Sequence, residues 1–242
     1  MQVEIWSDVV CPWCYIGKRR LETALEKFPH RDQVEVVWRS FQLDPSVPEG
    51  ETHPTLPALA AKYGASEDAM RANMAQVEQV AAGEGLEYHL ADGVSGNTLR
   101  AHELLHLAAE HGLRNELKER LLHAHFEEGR SVFDVDSLVA LGAEVGLDET
   151  EAREALGDRR YLAAVHQDAA TAQALGATGV PFFVVDRTYG AAGAQPAELL
   201  LQILERAWTD ANPHLTELAR SGSSHSTVPA AEGCTDDSCA VQ

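Results

Sequence analysis

Two cysteines three positions apart, Cys11 and Cys14, enclose Pro12 and Trp13. Thiols at that spacing reach each other across one helical turn and can close a small-ring disulfide. The chemistry on offer is thiol–disulfide exchange, in which a thiolate attacks a disulfide sulfur. A helix N-terminus suits it, because free N–H groups and the positive end of the macrodipole stabilise an anionic sulfur. Cys11 stands at the mouth of a predicted helix and is expected to attack as the accessible, low-pKa thiol. Cys14, one turn deeper, is expected to resolve. Trp13 adds no charge, so it acts through packing and solvation. Half a zinc site is the competing chemistry. It needs a second ligand pair, and the chain has no cysteine between residues 15 and 233.

The other cysteines, Cys234 and Cys239, form a second close pair with Asp236 and Asp237 between them. Those carboxylates disfavour thiolates. An auxiliary redox pair and a local disulfide or inert thiols remain open; a metal site with His225 is the weaker alternative. A second chemical element is Val180-Pro181. Proline before an apolar strand cannot donate to the ladder. A cis peptide in a tight turn and an ordinary trans proline at a strand start both satisfy that; the residues alone favour the second.

The elements that must position these groups follow from periodicity. Val3 to Ser7 alternates like a short strand, and Cys11-Pro12 opens a helix with Ile16, Leu21, Leu25 and Phe28 on one face, ended by Pro29. Val34 to Leu43 predicts a second strand, and the absence of a tight turn between the strands predicts a parallel pair. From about Pro54 to Gly176 the pattern is helical, with no period-2 segment. Candidate caps there are Ser66, Asn97 or Thr98, Asp136, Asp158, and Asp148 with Glu151 as a capping box. Met70 and Met74 read as helix core, with an adaptable peptide-binding surface as the alternative. His102, His106, His111, His123 and His125 keep no single ligand spacing and read as mostly surface. Strands return at Gly179–Val185 and Tyr189–Ala194 around a turn at Asp186-Arg187-Thr188, and Pro196 opens a last helix through Trp208. From Ser221 small and acidic residues predict a flexible tail. The expected fold is α/β: one sheet with a large all-helical insertion and a flexible C-terminal tail. The parts are 1–48 and 178–212 for the sheet domain, 49–177 for the insertion and 213–242 for the tail.

With 242 residues, 45% hydrophobic and 24% charged, the chain has ample material for a core. Its formal net charge of -19 repels phosphate backbones and anionic lipid, so neither nucleic acid nor membrane is an expected partner. No basic leader with an apolar run is visible, and no apolar stretch approaches the roughly 18 residues of a membrane helix. The expectation is a cytoplasmic protein, in a compartment that keeps most thiols reduced.

Ser7-Asp8-x-x-Cys11-Pro12-Trp13-Cys14, then Phe41-Gln42-Leu43, Asn97-Thr98, Ala101-His102, Gly179-Val180-Pro181-Phe182-Phe183 and Gly193-Ala194-Gln195-Pro196 occur in that order. This series resembles the DsbA-like thioredoxin superfamily, most of all its cytosolic FrnE-type branch, over about residues 2 to 210. The resemblance implies a thioredoxin fold with a helical insertion. It implies a cis Pro181 facing the Cys11–Cys14 centre, with the Val180 backbone pairing with a bound thiol peptide. It implies that Pro12, Trp13, Asn97 and His102 line the cleft. His102 can then assist proton transfer, although a helix cap for Asn97 and a packed histidine for His102 fit the residues better. It also implies an auxiliary role for Cys234 and Cys239. Pro-Trp between the cysteines, where the periplasmic oxidants carry Pro-His, argues against strong oxidising power.

The expected function is dithiol–disulfide exchange on protein or small thiol and disulfide substrates, without a cofactor or metal. Glutathione or a thioredoxin-type reductant would serve as electron donor. A glutathione-dependent isomerase or transferase shares the fold but generally has serine in place of the first cysteine. A holdase-type module would use the cleft without chemistry.

Overall fold

Alternation at Val3–Ser7 and the apolar run before Val185 call for a sheet, and the inserted helices then need faces to pack on. The computed structural model describes residues 1–213. The chain opens with β1 (Gln2–Ser7), α1 (Pro12–Lys27) and β2 (Glu35–Ser40). Strands β1 and β2 are parallel, with Val3 opposite Val36 and Ile5 opposite Trp38, and α1 is the crossover that such a pair requires. There follow β3 (Thr52–Pro54), α2 (Thr55–Tyr63), α3 (Glu67–Gly83), β4 (Val94–Gly96), α4 (Leu99–Glu110), α5 (Arg114–Phe126), α6 (Val135–Glu144), α7 (Glu149–Gly157) and α8 (Leu162–Ala174). The chain then returns through β5 (Phe182–Val185), β6 (Tyr189–Ala192) and α9 (Ala197–Ala211). The main sheet has the order β2-β1-β5-β6. β5 runs antiparallel to both β1 and β6. This is the thioredoxin-like α/β architecture with a large helical insertion between β2 and β5.

Both sheet faces are covered, as a strand with an almost wholly buried pattern demands. Val3, Phe183 and Val185 meet Leu21 of α1 and Leu200 and Leu204 of α9 around one apolar space. On the other face Trp6 packs with Val184 and with Ala172 of α8, and its indole N–H donates to the Asp168 carbonyl at 2.8 Å. The inserted helices own a separate core around Leu104, Leu107, Leu117, Leu121, Leu138 and Leu156. A second cluster joins Met70, Met74, Leu56 and Tyr88 to Tyr15 and Ile16 of α1. The two methionines are therefore core. Residues Met1–Ala207 form one compact unit.

The structure corrects several expectations inside the insertion. It contains an antiparallel strand pair, β3 with β4, that the periodicity did not show. Three-residue strands are too short to display a period of two. The cap of α6 is Asp134, which accepts from Ser137 N, rather than Asp136. Asp158 ends α7 instead of opening α8. Asp148 caps α7 through Glu151 N as expected. The histidines are not mostly surface: His102 is fully buried, and His106 is bonded between Ser40, Arg114 and Asp168. His125 sits edge-on to Phe126 and Phe133. The tail with Cys234 and Cys239 lies outside the described residues.

Candidate active site

Chain direction places the thiols. β1 ends at Ser7, and the chain turns through Asp8–Val10 into α1. Cys11 is the N-cap of that helix, with φ -93° and ψ 111°, and Pro12 takes the first helical position. Cys14 N donates to Cys11 O at 3.0 Å and closes the first turn. Both cysteines are free thiols. Cys11 is 4% exposed and Cys14 1%, while Trp13 stands out from the surface at 39%. Beneath this turn the Tyr88 hydroxyl donates to Pro12 O at 2.8 Å.

The loop before β5 forms the facing wall. The Val180 carbonyl accepts from Cys11 Sγ at 3.5 Å, and the Val180–Pro181 peptide is cis. Gly17 lets α1 approach this wall: a Cβ there would lie 3.0 Å from Pro181 Cγ and 3.3 Å from Phe183. Cys11, Cys14, Pro12, Trp13, Val180 and Pro181 thus come together at one end of the sheet. Asn97 and His102 are placed differently, as supports below the surface. Asn97 Oδ1 accepts from Leu99 N at 2.8 Å and from Gln42 Nε2 at 3.1 Å, and its Nδ2 donates to Val47 O at 2.6 Å. His102 Nε2 lies 3.1 Å from Asp8 Oδ1.

Asp8 is the hub of that lower layer. It also accepts from Val9 N at 2.7 Å and Leu43 N at 2.8 Å. Burial works against its charge, but the His102 bond and charge, the Leu43 N–H and the Lys118 charge hold its carboxyl below the ordinary value. Burial keeps His102 below its ordinary value in spite of Asp8, so it is neutral and its Nε2–H donates. Lys118 of α5 completes the layer. It is fully buried, its Nζ has no hydrogen-bond partner among the described residues, and it lies 5.8 Å from the Trp38 ring centroid. Burial pushes its ammonium down to about 8, against the charges of Cys14, Asp8 and Cys11.

The two thiols titrate as a unit. Cys14 must overcome burial, yet the hydrogen bond from Cys11, the Lys118 charge, the Ser7 hydroxyl and the Asp8 backbone bring it below the ordinary thiol value. Cys11 is pushed well above that value by its hydrogen bond with Cys14, by burial and by the Cys14 charge. The first proton leaves the pair readily and the second is held. The single negative charge belongs to both sulfurs, with the Lys118 cation acting from the Cys14 side. A proton shared between the two sulfurs still gives Cys11, the sulfur nearer the surface, access to the charge.

Asp8, Ser7, Tyr88 and Lys118 were not among the expected site residues. Lys118 carried a signal, since it sits on the face of α5 that also buries Leu121 and Leu122, where a solvated lysine does not belong.

Comparison with known proteins agrees with this architecture. The DSBA-like thioredoxin domain model matches residues 2–205. The chain is 32% identical over 200 residues to the uncharacterized protein YwbO of Bacillus subtilis, covering 80% of this chain and 92% of that protein. A probable DsbA oxidoreductase of Streptomyces coelicolor superposes with a TM-score of 0.83 at 45% identity, over 100% of this chain and 99% of its own. The cytosolic disulfide reductase DsbM of Pseudomonas aeruginosa, solved with GSH, shares the fold at a TM-score of 0.59 and 20% identity, over 85% of this chain and 98% of its own. With that domain matched over residues 2–205, and a dithiol at the mouth of α1 facing a cis proline, the chain belongs to the DSBA-like thioredoxin domain family.

Proposed function

We propose that this chain is a cytosolic, FrnE-type thiol–disulfide oxidoreductase acting on protein or small-molecule thiols, with Cys11 attacking and Cys14 resolving. The observation that carries the reading is the position of Cys11 Sγ, at the mouth of α1 and 3.5 Å from the Val180 carbonyl. A substrate disulfide entering there meets a sulfur with a backbone wall behind it. The Cys11 thiolate attacks one substrate sulfur and expels the other as a thiolate. Cys14 then loses its proton, attacks Cys11 Sγ and expels the second substrate thiolate, leaving a Cys11–Cys14 disulfide. Two electrons pass to the substrate, and the expelled thiolates take protons from water. The reverse sequence oxidises a dithiol.

In this reading the Val180 backbone flanks the substrate, Pro12 and Trp13 form the outer rim, and Asn97 and His102 support the cleft from below. Exchange of this kind runs on sulfur alone, so no cofactor or metal enters. A reducing compartment keeps the pair mostly dithiol, which favours isomerase or reductase work over net oxidation. Glutathione or a thioredoxin-type protein resets it; the shared fold with DsbM, solved with GSH, supports the first. Cys234 and Cys239 serve as an auxiliary pair.

The test is glutathione-coupled reduction of a peptide disulfide by the wild-type chain, Cys11→Ser and Cys14→Ser. Turnover is expected to vanish without Cys11. Reduction at the wild-type rate by the Cys11→Ser, Cys14→Ser double variant would refute exchange through this pair, and full biological activity of that variant without any reduction would move the assignment to a cleft that binds peptide without exchange.

A further inference from the structure

We propose that Lys118 is the built-in counter-charge of the dithiol, a cation carried by the inserted helix α5 that stabilises the thiolate form of the Cys11–Cys14 pair and so favours its reduced state. The inference rests on the exchange reading above and adds a residue from outside the sheet to it. A lysine in a protein interior normally carries its ammonium to the surface or to a carboxylate at hydrogen-bond distance. Lys118 does neither. Its side chain is fully buried in α5 and its Nζ bonds to nothing among the described residues.

The groups that face it explain why a cation is kept there. Helix α5 is tied to α1 next to this lysine, where the Tyr15 hydroxyl donates to Glu119 at 2.6 Å. The charges that act on Lys118 are those of Cys14 and Cys11 of α1, Asp8 at the entry to α1, and Arg114 one turn earlier on α5, with Cys14 the strongest. His102 of α4 stands behind Asp8 and is neutral. The Trp38 ring of β2, 5.8 Å away, offers its negative face. Asp8 can balance one positive charge in every redox state. The thiolate exists only when the pair is reduced. With a disulfide the buried charges are Asp8 and Lys118, one of each sign. With the dithiol ionised once, a second negative charge joins them, and the ammonium is shared between two anions. The ammonium near 8 is consistent with a charge that burial opposes and the thiolate supports.

The consequence is directional. Removing the cation destabilises the thiolate but not the neutral disulfide. Lys118→Met must therefore raise the first thiol ionisation and shift the equilibrium toward the disulfide. An opposite charge at close range moves an ionisation by about one unit or more. The thiolate fraction below the midpoint, and the equilibrium constant against glutathione, are thus each expected to change by about tenfold, or about 30 mV in potential.

The experiment uses the full chain in three forms: wild type, Lys118→Met and Lys118→Arg. The rate of iodoacetamide labelling at Cys11, mapped by mass, is followed against pH, and the Cys11–Cys14 couple is equilibrated with glutathione. Lys118→Met is expected to move the labelling midpoint up by about one unit and the constant by about tenfold, with Lys118→Arg restoring part of both. A folded Lys118→Met with wild-type midpoint and constant overturns the proposal. If Lys118→Met does not fold, the wild type decides: the Lys118 ammonium, titrated by NMR in the reduced and oxidised chain, is expected to lose its proton at lower pH when oxidised. The same titration in both forms overturns the proposal. Failure of the exchange reading is separate, since it appears as turnover that does not depend on Cys11 in the wild-type background.

Discussion

Asp8 offers the sharpest test of how the site is held. Its carboxylate accepts from Val9 N at 2.7 Å and His102 Nε2 at 3.1 Å, both buried, and from Leu43 N at 2.8 Å, which is partly buried. Asp8→Ala removes the acceptor and leaves three donors unpaired, two of them buried and the third, Leu43 N, partly buried. An unpaired buried donor costs about 1–3 kcal/mol. Neighbouring losses add incompletely, so roughly 3–6 kcal/mol is expected in total. That is a large fraction of a typical stability of about 5–15 kcal/mol. Urea unfolding followed by circular dichroism measures it. With a slope of about 3 kcal/mol/M the midpoint falls by about 1–2 M. Asp8→Asn keeps one oxygen but presents an NH2 group to one of the donors, so it should fall between wild type and Asp8→Ala. A loss below about 1 kcal/mol for Asp8→Ala would show that these donors find other partners and that the layer beneath the thiols is not built on Asp8.

Other expectations can be checked with simple variants. Gly17→Ala places a methyl 3.0 Å from Pro181 Cγ; overpacking of about 1–3 kcal/mol should exceed the helix-propensity gain of about 0.5–1 kcal/mol, lowering thermal stability and exchange turnover together. Glu119 is opposed by burial, but hydrogen bonds from Arg19, Lys18 and Tyr15 pull it down to about 2. Its lowered value means stability that is present above the ordinary carboxylate range and lost as pH falls toward 2; an acid titration of unfolding should show that loss in wild type and lack it in Glu119→Gln. Alkylation of the reduced protein should label Cys11 before Cys14, and the opposite order would reverse the assigned roles. Replacing Cys234 and Cys239 by serine should lower turnover with a dithiol reductant if the tail pair relays electrons; unchanged turnover would make it an independent device.

The sheet and the helix-mouth position of the cysteine pair were readable because each rests on local chemistry. A cysteine pair behind a strand and at a proline-opened helix needs no distant information, and the Val180-Pro181 segment announces itself as a strand start with a missing donor. The layer below was not readable in the same way. Asp8 looks like an ordinary turn residue until its three donors, two of them 35 and 94 positions away, are known. His102 reads as a packed histidine but gives no sign that its partner is Asp8, and His106 looks like a surface residue because its partner Asp168 lies on another element. Lys118 shows its role only through burial. The short strands β3 and β4 escaped because three residues carry no period. Long-range polar pairing, rather than hydrophobic pattern, is what the sequence withholds here.

The central claim is that Cys11 attacks and Cys14 resolves, and a trapped intermediate tests it most directly. The reduced Cys14→Ser chain, mixed with a peptide disulfide and quenched with acid, should accumulate a mixed disulfide. Mass mapping should place the peptide on Cys11 alone, and the wild-type chain under the same conditions should release it as the Cys11–Cys14 disulfide. A Cys14→Ser chain that forms no adduct, or carries it on a cysteine other than Cys11, would contradict the account.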